Sequence, residues 1–157
     1  MNIELIVVGK TDSAEVTKLV EMYAGRINFF IKFVINVVPD IKNSKNLSQN
    51  QQKQLEGEAI LKRISTGDRV VLLDEKGKEY TSVEFATQIE RIMSSGVKKL
   101  CFVIGGPYGF SEEVYSRADA KISLSRMTFS HQIVRAIFTE QLYRAYTILN
   151  NTPYHHS

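Results

Sequence analysis

Residues 100–146 read LCFVIGGPYGFSEEVYSRADAKISLSRMTFSHQIVRAIFTEQLYRAY. The apolar run Leu100 to Ile104 predicts a buried strand, and it opens directly into the glycine turn Gly105-Gly106-Pro107-Tyr108-Gly109. A short helix follows, beginning Ser111-Glu112-Glu113. Ala120 to Ser125 predicts the last strand, followed by the loop Arg126-Met127-Thr128-Phe129 and a long helix capped by Ser130. Along that helix Val134, Ile137, Phe138, Leu142, Ala145, Ile148 and Leu149 form one apolar stripe at helical spacing.

The same alternation runs back to the N-terminus. Ile3 to Val8 predicts a strand ending at Gly9, and Asp12 or Ser13 caps a helix carrying Val16, Leu19, Val20, Tyr23, Ala24, Ile27 and Phe30. Lys32 to Val38 is a second strand, stopped by Pro39-Asp40. Ile41 to Gln54 is polar and predicts a mobile loop leading into a helix through Leu55, Ala59, Ile60 and Ile64. Arg69 to Leu73 is a third strand, after which Asp74-Glu75-Lys76-Gly77 turns the chain back, and Ser82 caps a helix closed by Gly96. Alternating strands and helices predict an α/β fold in one domain: a mainly parallel sheet with helices on both faces.

Length and composition set bounds on function. A chain of 157 residues can bury roughly 70% of the surface its unfolded form exposes, so a core forms without staples. The one cysteine, Cys101, lies inside an apolar strand and reads as a small hydrophobe, and a single thiol fits a reducing compartment. Leu5 to Val8 is too short for a signal core and no window reaches the length of a membrane span, so the expectation is a soluble cytoplasmic protein. Net charge is +3, and Lys121, Arg126, Arg135 and Arg144 face only Glu140 in the last 37 residues, which therefore carry the whole excess.

The glycine turn admits two readings. It is a simple connection, or it is a ligand turn at the carboxyl end of a strand, where an open α/β sheet binds its ligands. The spacing GGxxG is not the dinucleotide fingerprint, and no Gly-Lys-Ser/Thr follows. Glu112 and Glu113 place carboxylates where a phosphate would otherwise be held, which disfavours phosphate-bearing cofactors and leaves neutral or cationic ones. No metal-ligand cluster is read from the sequence. On the last helix His131 and Arg135 share one edge of the apolar stripe, while Glu140 and Arg144 form an i, i+4 pair that reads as a solvated contact worth about a few tenths of a kcal/mol. The tail Thr152-Pro153-Tyr154-His155-His156-Ser157 carries groups able to stack on a base and exchange a proton.

Taken together, Val8-Gly9-Lys10, Tyr23-x-x-Arg26, Glu56-Gly57-Glu58, Leu73-Asp74, FVIGGPYG, SLSRMTFSHQIVR, EQLYRAY and the terminal Pro153-Tyr154-His155 resemble the RlmH family of SPOUT-class methyltransferases, from end to end. The resemblance implies a fold with a C-terminal trefoil knot, a homodimer, and methyl transfer from S-adenosyl-L-methionine to N3 of a pseudouridine in 23S rRNA on assembled ribosomes. It places the cofactor at Leu73, Gly105, Leu124, Ser125, Arg126, Met127, Thr128 and Phe129. It assigns Arg144, Tyr154 and His155 to the substrate side. Apart from the resemblance, an imide N–H must lose its proton before it attacks, and the histidines His155 and His131 are the candidate acceptors. Ser130 stands where the family commonly has proline, and serine is itself a favoured cap. The competing expectation is a non-catalytic dimer of the same fold that binds an adenosine ligand or the ribosome.

Overall fold

The computed structural model describes residues 1–42 and 44–156, so Asn43 of the polar stretch and the terminal Ser157 lie outside the described residues. Five strands form one all-parallel sheet in the order β2-β1-β4-β3-β5: β1 Asn2–Val8, β2 Phe33–Val38, β3 Arg69–Glu79, β4 Lys99–Ile104 and β5 Ala120–Ser123. Between and after them run α1 Ala14–Asn28, α2 Gln49–Leu61, α3 Ser82–Met93, α4 Glu112–Arg117 and α5 Ile133–Leu149. The α/β reading is therefore correct.

Strand periodicity sorts the core into two layers. Leu5, Val7, Leu100, Phe102 and Ile104 pack with Phe85, Ile89, Phe138 and Leu142, so α3 and α5 cover one face. Their neighbours Ile6, Val8, Cys101 and Val103 point the other way, onto Ile60, Phe110 and Val114 of the α2 and α4 side. Cys101 is fully buried and its thiol is pushed up to about 12 by that burial, as befits a core residue.

Local chemistry starts the helices. Ser13 and Ser111 each accept a hydrogen bond from the amide three residues on, and Ser48 with Gln51 forms a reciprocal capping box. That box starts α2 at Gln49, so the predicted loop is shorter than its polarity suggests and holds a 3-10 turn at Ser44–Asn46.

Three further expectations are corrected. Asp74 to Gly77 does not turn the chain back: β3 continues to Glu79, with a register shift against β5 between Leu73 and Lys78. Gly77 permits this, since a Cβ there would stand 2.5 Å from the main-chain carbon of Ile122. Ser82 is not the cap of α3. Thr81 is, in a capping box with Glu84, while Ser82 Oγ donates to Gln141 Oε1 of α5 at 2.8 Å. Finally, α5 begins at Ile133 behind Gln132; Ser130 instead shapes the approach, its Oγ accepting from the Ile133 amide at 3.0 Å.

Candidate active site

The carboxyl ends of β4 and β5, with Leu73 to Lys76 of β3, open into a crevice of about 640 Å³. One wall is the glycine turn after β4, where Gly109 at φ +83° donates its amide to the Gly106 carbonyl at 3.2 Å and closes the loop. The other wall is the segment from Ser123 to His131. Ser123 Oγ donates to the Ser125 carbonyl at 2.8 Å, and the Met127 amide donates to Ser125 Oγ at 2.9 Å, so the two serines shape this loop from within. Thr128 Oγ1 donates to Glu75 at 3.4 Å, tying the loop to β3.

Leu73, Gly105, Leu124, Ser125, Met127, Thr128 and Phe129 all line this crevice, together with His131. Arg126 does not: its side chain is 89% exposed and lies 3.9 Å from Glu79, outside the crevice. Apolar side chains of Leu73, Ile104, Leu124, Phe129 and Val134 make up one part of the lining. Asp74 and Glu75 give it acidic character, with Lys76 beside them. Asp74 accepts a hydrogen bond from the Tyr115 hydroxyl. Burial and that contact together push the Tyr115 phenol up to about 12, so it remains a donor at neutral pH.

Two residues behind these walls escaped sequence reasoning. Glu56, seen there only as part of a motif, is 3% exposed and its Oε1 has no hydrogen-bond partner among the described residues. Gln52 donates to the other oxygen at 3.0 Å. Burial is the largest influence on this carboxyl and raises its pKa. Its free oxygen fills the side-chain space of Gly106, where a Cβ would stand 2.6 Å away. The signal in the sequence was a glutamate followed by Gly57, whose missing side chain in turn makes room for Ser111 at the start of α4.

Arg135 is the second. It was expected at the edge of an apolar stripe and is in fact 1% exposed. Its guanidinium donates to the carbonyls of Val8 (2.7 Å), Gly9 (2.9 Å) and His131 (3.1 Å) and to Thr11 Oγ1 (3.0 Å). Gln132 adds contacts to the Asp12 amide at 3.0 Å and the Lys10 carbonyl at 3.2 Å. The end of the crevice loop is thus fastened to the end of β1, which gives the Val8-Gly9-Lys10 motif a structural purpose.

Arg144, Tyr154 and His155 come together, but not in this crevice. Asn151 takes φ 54° and the Thr152 amide donates to the Thr147 carbonyl at 2.9 Å, turning the tail back along α5. Arg144 then donates to Glu140 at 2.5 Å and to His155 Nδ1 at 3.1 Å, and its guanidinium stacks 4.8 Å from the Tyr154 ring centroid. Tyr154 also donates to Glu140 at 3.1 Å and packs edge-on against Tyr143. The pair Glu140 and Arg144 is therefore a half-buried hub and not a solvated contact. Because arginine only donates, the Nδ1 lone pair of His155 is engaged and its proton belongs on Nε2. The Tyr154 phenol is raised well above its usual range by burial foremost, then by Tyr23 and Glu140.

Within one chain the tail does not fold over the crevice, whose lining ends at Val134. Arg144 stands ten residues beyond Val134, which is about 15 Å along the helix axis. Among the described residues no cluster of three or more potential metal ligands occurs, and no helix is long and apolar enough to cross a membrane.

A family model described as "Predicted SPOUT methyltransferase" matches residues 1–155. The chain is 59% identical to the ribosomal RNA large subunit methyltransferase H of Parabacteroides distasonis over 156 residues, 99% of each chain. It is 58% identical to the protein of that name from Christiangramia forsetii and 51% identical to that from Porphyromonas gingivalis, again with 99% of each covered. The chain belongs to the SPOUT methyltransferases, in the family of the large-subunit ribosomal RNA methyltransferase H.

Proposed function

We propose that this protein transfers a methyl group from S-adenosyl-L-methionine to N3 of a pseudouridine in 23S rRNA, acting as a homodimer on assembled ribosomes. The observation that carries the reading is the crevice itself: a wall of glycine-turn main chain at Gly105 and Gly106, an apolar bed, and the carboxylates Asp74 and Glu75. Such a site suits an adenosine ligand bearing a cation. Leu73, Gly105, Leu124, Ser125, Met127, Thr128 and Phe129 would hold it, with Arg126 contributing only main chain. When bound, S-adenosylmethionine would supply the methyl group, the S–C bond broken balancing the N–C bond formed as the sulfonium becomes a neutral thioether.

The chain's own task is the proton and the charge. An imide N–H is a poor nucleophile until its proton departs, and Arg144 meets the negative charge that develops at the nitrogen and its flanking carbonyls. Tyr154 stacks on the base and, with its raised pKa, donates a hydrogen bond. The proton passes to His131, which lines the crevice, or to water; His155 becomes an acceptor only if Arg144 releases its Nδ1. Since crevice and tail are far apart within one chain, a complete site needs the tail of a second copy. The family membership that supports this pairing also carries the expectation of the trefoil knot.

Calorimetry with S-adenosylmethionine, NAD and ATP tests the cofactor. Binding of S-adenosylmethionine in the micromolar range with neither of the others is expected, and tight NAD binding without S-adenosylmethionine binding would overturn the reading.

A further inference from the structure

An all-parallel sheet gathers every strand's amino end at one pole, opposite the crevice, and α1, α2 and α3 end there too. That pole carries Lys32, Lys62, Arg69, Arg91 and Lys98, all exposed. Among the described residues none of the five forms an ion pair. Arg63, next to Lys62 in the chain, turns its guanidinium to the Val37 carbonyl near the carboxyl end of β2. The nearby acids Glu4, Asp68 and Asp119 are already matched by Lys99 and Arg117. Glu58 and Glu90, in the last turns of α2 and α3, are the exposed acids at this end of those helices. Helix C-termini favour cations at this end without fixing them to carboxylates, which leaves the charges available.

The pole also borders the tail cluster. Bonds from Arg135 to Val8 and Gly9 place the start of α5 at the carboxyl end of the sheet. At its other end Tyr146 stacks on Phe30, which follows α1, and its hydroxyl lies 3.4 Å from Met93 Sδ, which closes α3. Arg144, Tyr154 and His155 therefore lie toward the basic pole, as does Arg26, whose guanidinium covers Tyr23 and Tyr143.

We infer that the amino end of the sheet grips the phosphate backbone of the rRNA flanking the target nucleotide, delivering that nucleotide to the adjacent tail cluster. The inference rests on the reading of the protein as an rRNA methyltransferase. It locates the phosphate contacts on residues distant from the crevice, in segments whose sequence charge is balanced, and assigns the crevice end no part in holding the backbone. Each phosphate neutralised releases counterions, so the contacts are countable from the salt dependence of binding.

The test is a variant with Lys62→Gln, Arg69→Gln, Arg91→Gln and Lys98→Gln, compared with a control carrying Lys18→Gln, Lys42→Gln, Lys45→Gln and Lys53→Gln. Both lose the same charge. Binding to ribosomes is measured across a potassium chloride series, together with S-adenosylmethionine affinity as the check on folding. The pole variant is expected to lower the slope of log affinity against log salt by about 3 and to raise the KM for ribosomes at least about tenfold, with cofactor affinity unchanged. The control is expected to shift the slope by less than about 1. An unchanged slope in the pole variant, or an equal fall in both variants, overturns the inference. Affinity that falls with the slope unchanged assigns the pole to a ribosomal protein and overturns it as well. Failure of the wild-type chain to methylate ribosomes at all would instead remove the functional reading beneath it.

Discussion

Replacing Arg144 with alanine is expected to slow methyl transfer to ribosomes by roughly 10²- to 10³-fold, while affinity for S-adenosylmethionine stays within about twofold. The side chain that is lost donates to Glu140 and His155 and carries the Tyr154 ring, so one substitution dismantles the whole cluster. None of these groups lines the crevice, which is why cofactor affinity should survive. Ending the chain after Asn151 removes Tyr154 and His155 and should have an effect of similar size. The combination of both changes should cost little more than either alone, because they break the same network. Arg144→Lys keeps the charge but not the planar fork and should recover only part of the activity. Full activity in Arg144→Ala or in the shortened chain would make the cluster a bystander.

The second large effect belongs to the glycine turn. Gly105→Leu is expected to abolish cofactor binding, since even a Cβ there would stand 3.0 Å from the Phe110 ring and a longer side chain must displace that ring, which itself lines the crevice; unchanged thermal unfolding of the variant checks that the fold survives. Gly106→Ala is expected to weaken cofactor binding by roughly tenfold, because its methyl would stand 2.6 Å from the buried Glu56 oxygen and displace the turn. Adding Glu56→Ala should relieve that clash and restore part of the affinity. Affinity retained in Gly105→Leu would remove the turn from the cofactor site. Co-expressing Gly105→Leu with the shortened chain tests the shared site: if tail and crevice come from different copies, roughly a quarter of wild-type activity should return through mixed dimers. No recovery would mean that each copy supplies both parts to its own site.

What could be read from sequence alone follows a physical division. Runs such as Ile3 to Val8 and Leu100 to Ile104 are buried on both faces, so their hydrophobicity declares them, and the carboxyl end of the second lies at the crevice. The loop from Leu124 to Phe129 was legible through its motif, but the outward path of Arg126 depends on Glu79, forty-seven positions away in the chain. Asp74 to Gly77 has the composition of a turn, yet pairing with β5 outweighs local preference and extends the strand. Thr81 and Ser82 are equally good caps; which of them serves is decided by Gln141, which takes Ser82 for itself.

Charge was the least legible property. Counting along the chain put the excess in the last 37 residues, but Arg135 is buried among carbonyls and Arg144 is held by Glu140 and His155. The unpaired cations of the amino pole come from segments that looked neutral, because the acids Glu4, Asp68 and Asp119 of those segments are matched by Lys99 and Arg117. A linear count cannot see that cancellation. Glu56 escaped for a related reason: its environment is built by α2, the glycine turn and Gln52, and only the folded chain brings them together.

The central claim is that this chain methylates a pseudouridine of the large-subunit rRNA, and transfer of labelled methyl from S-adenosylmethionine to ribosomes tests it most directly. Ribosomes isolated with and without that pseudouridine are the two substrates. Label is expected in the 23S rRNA of the first and at background in the second. Equal labelling of both, or none in either, would contradict the account.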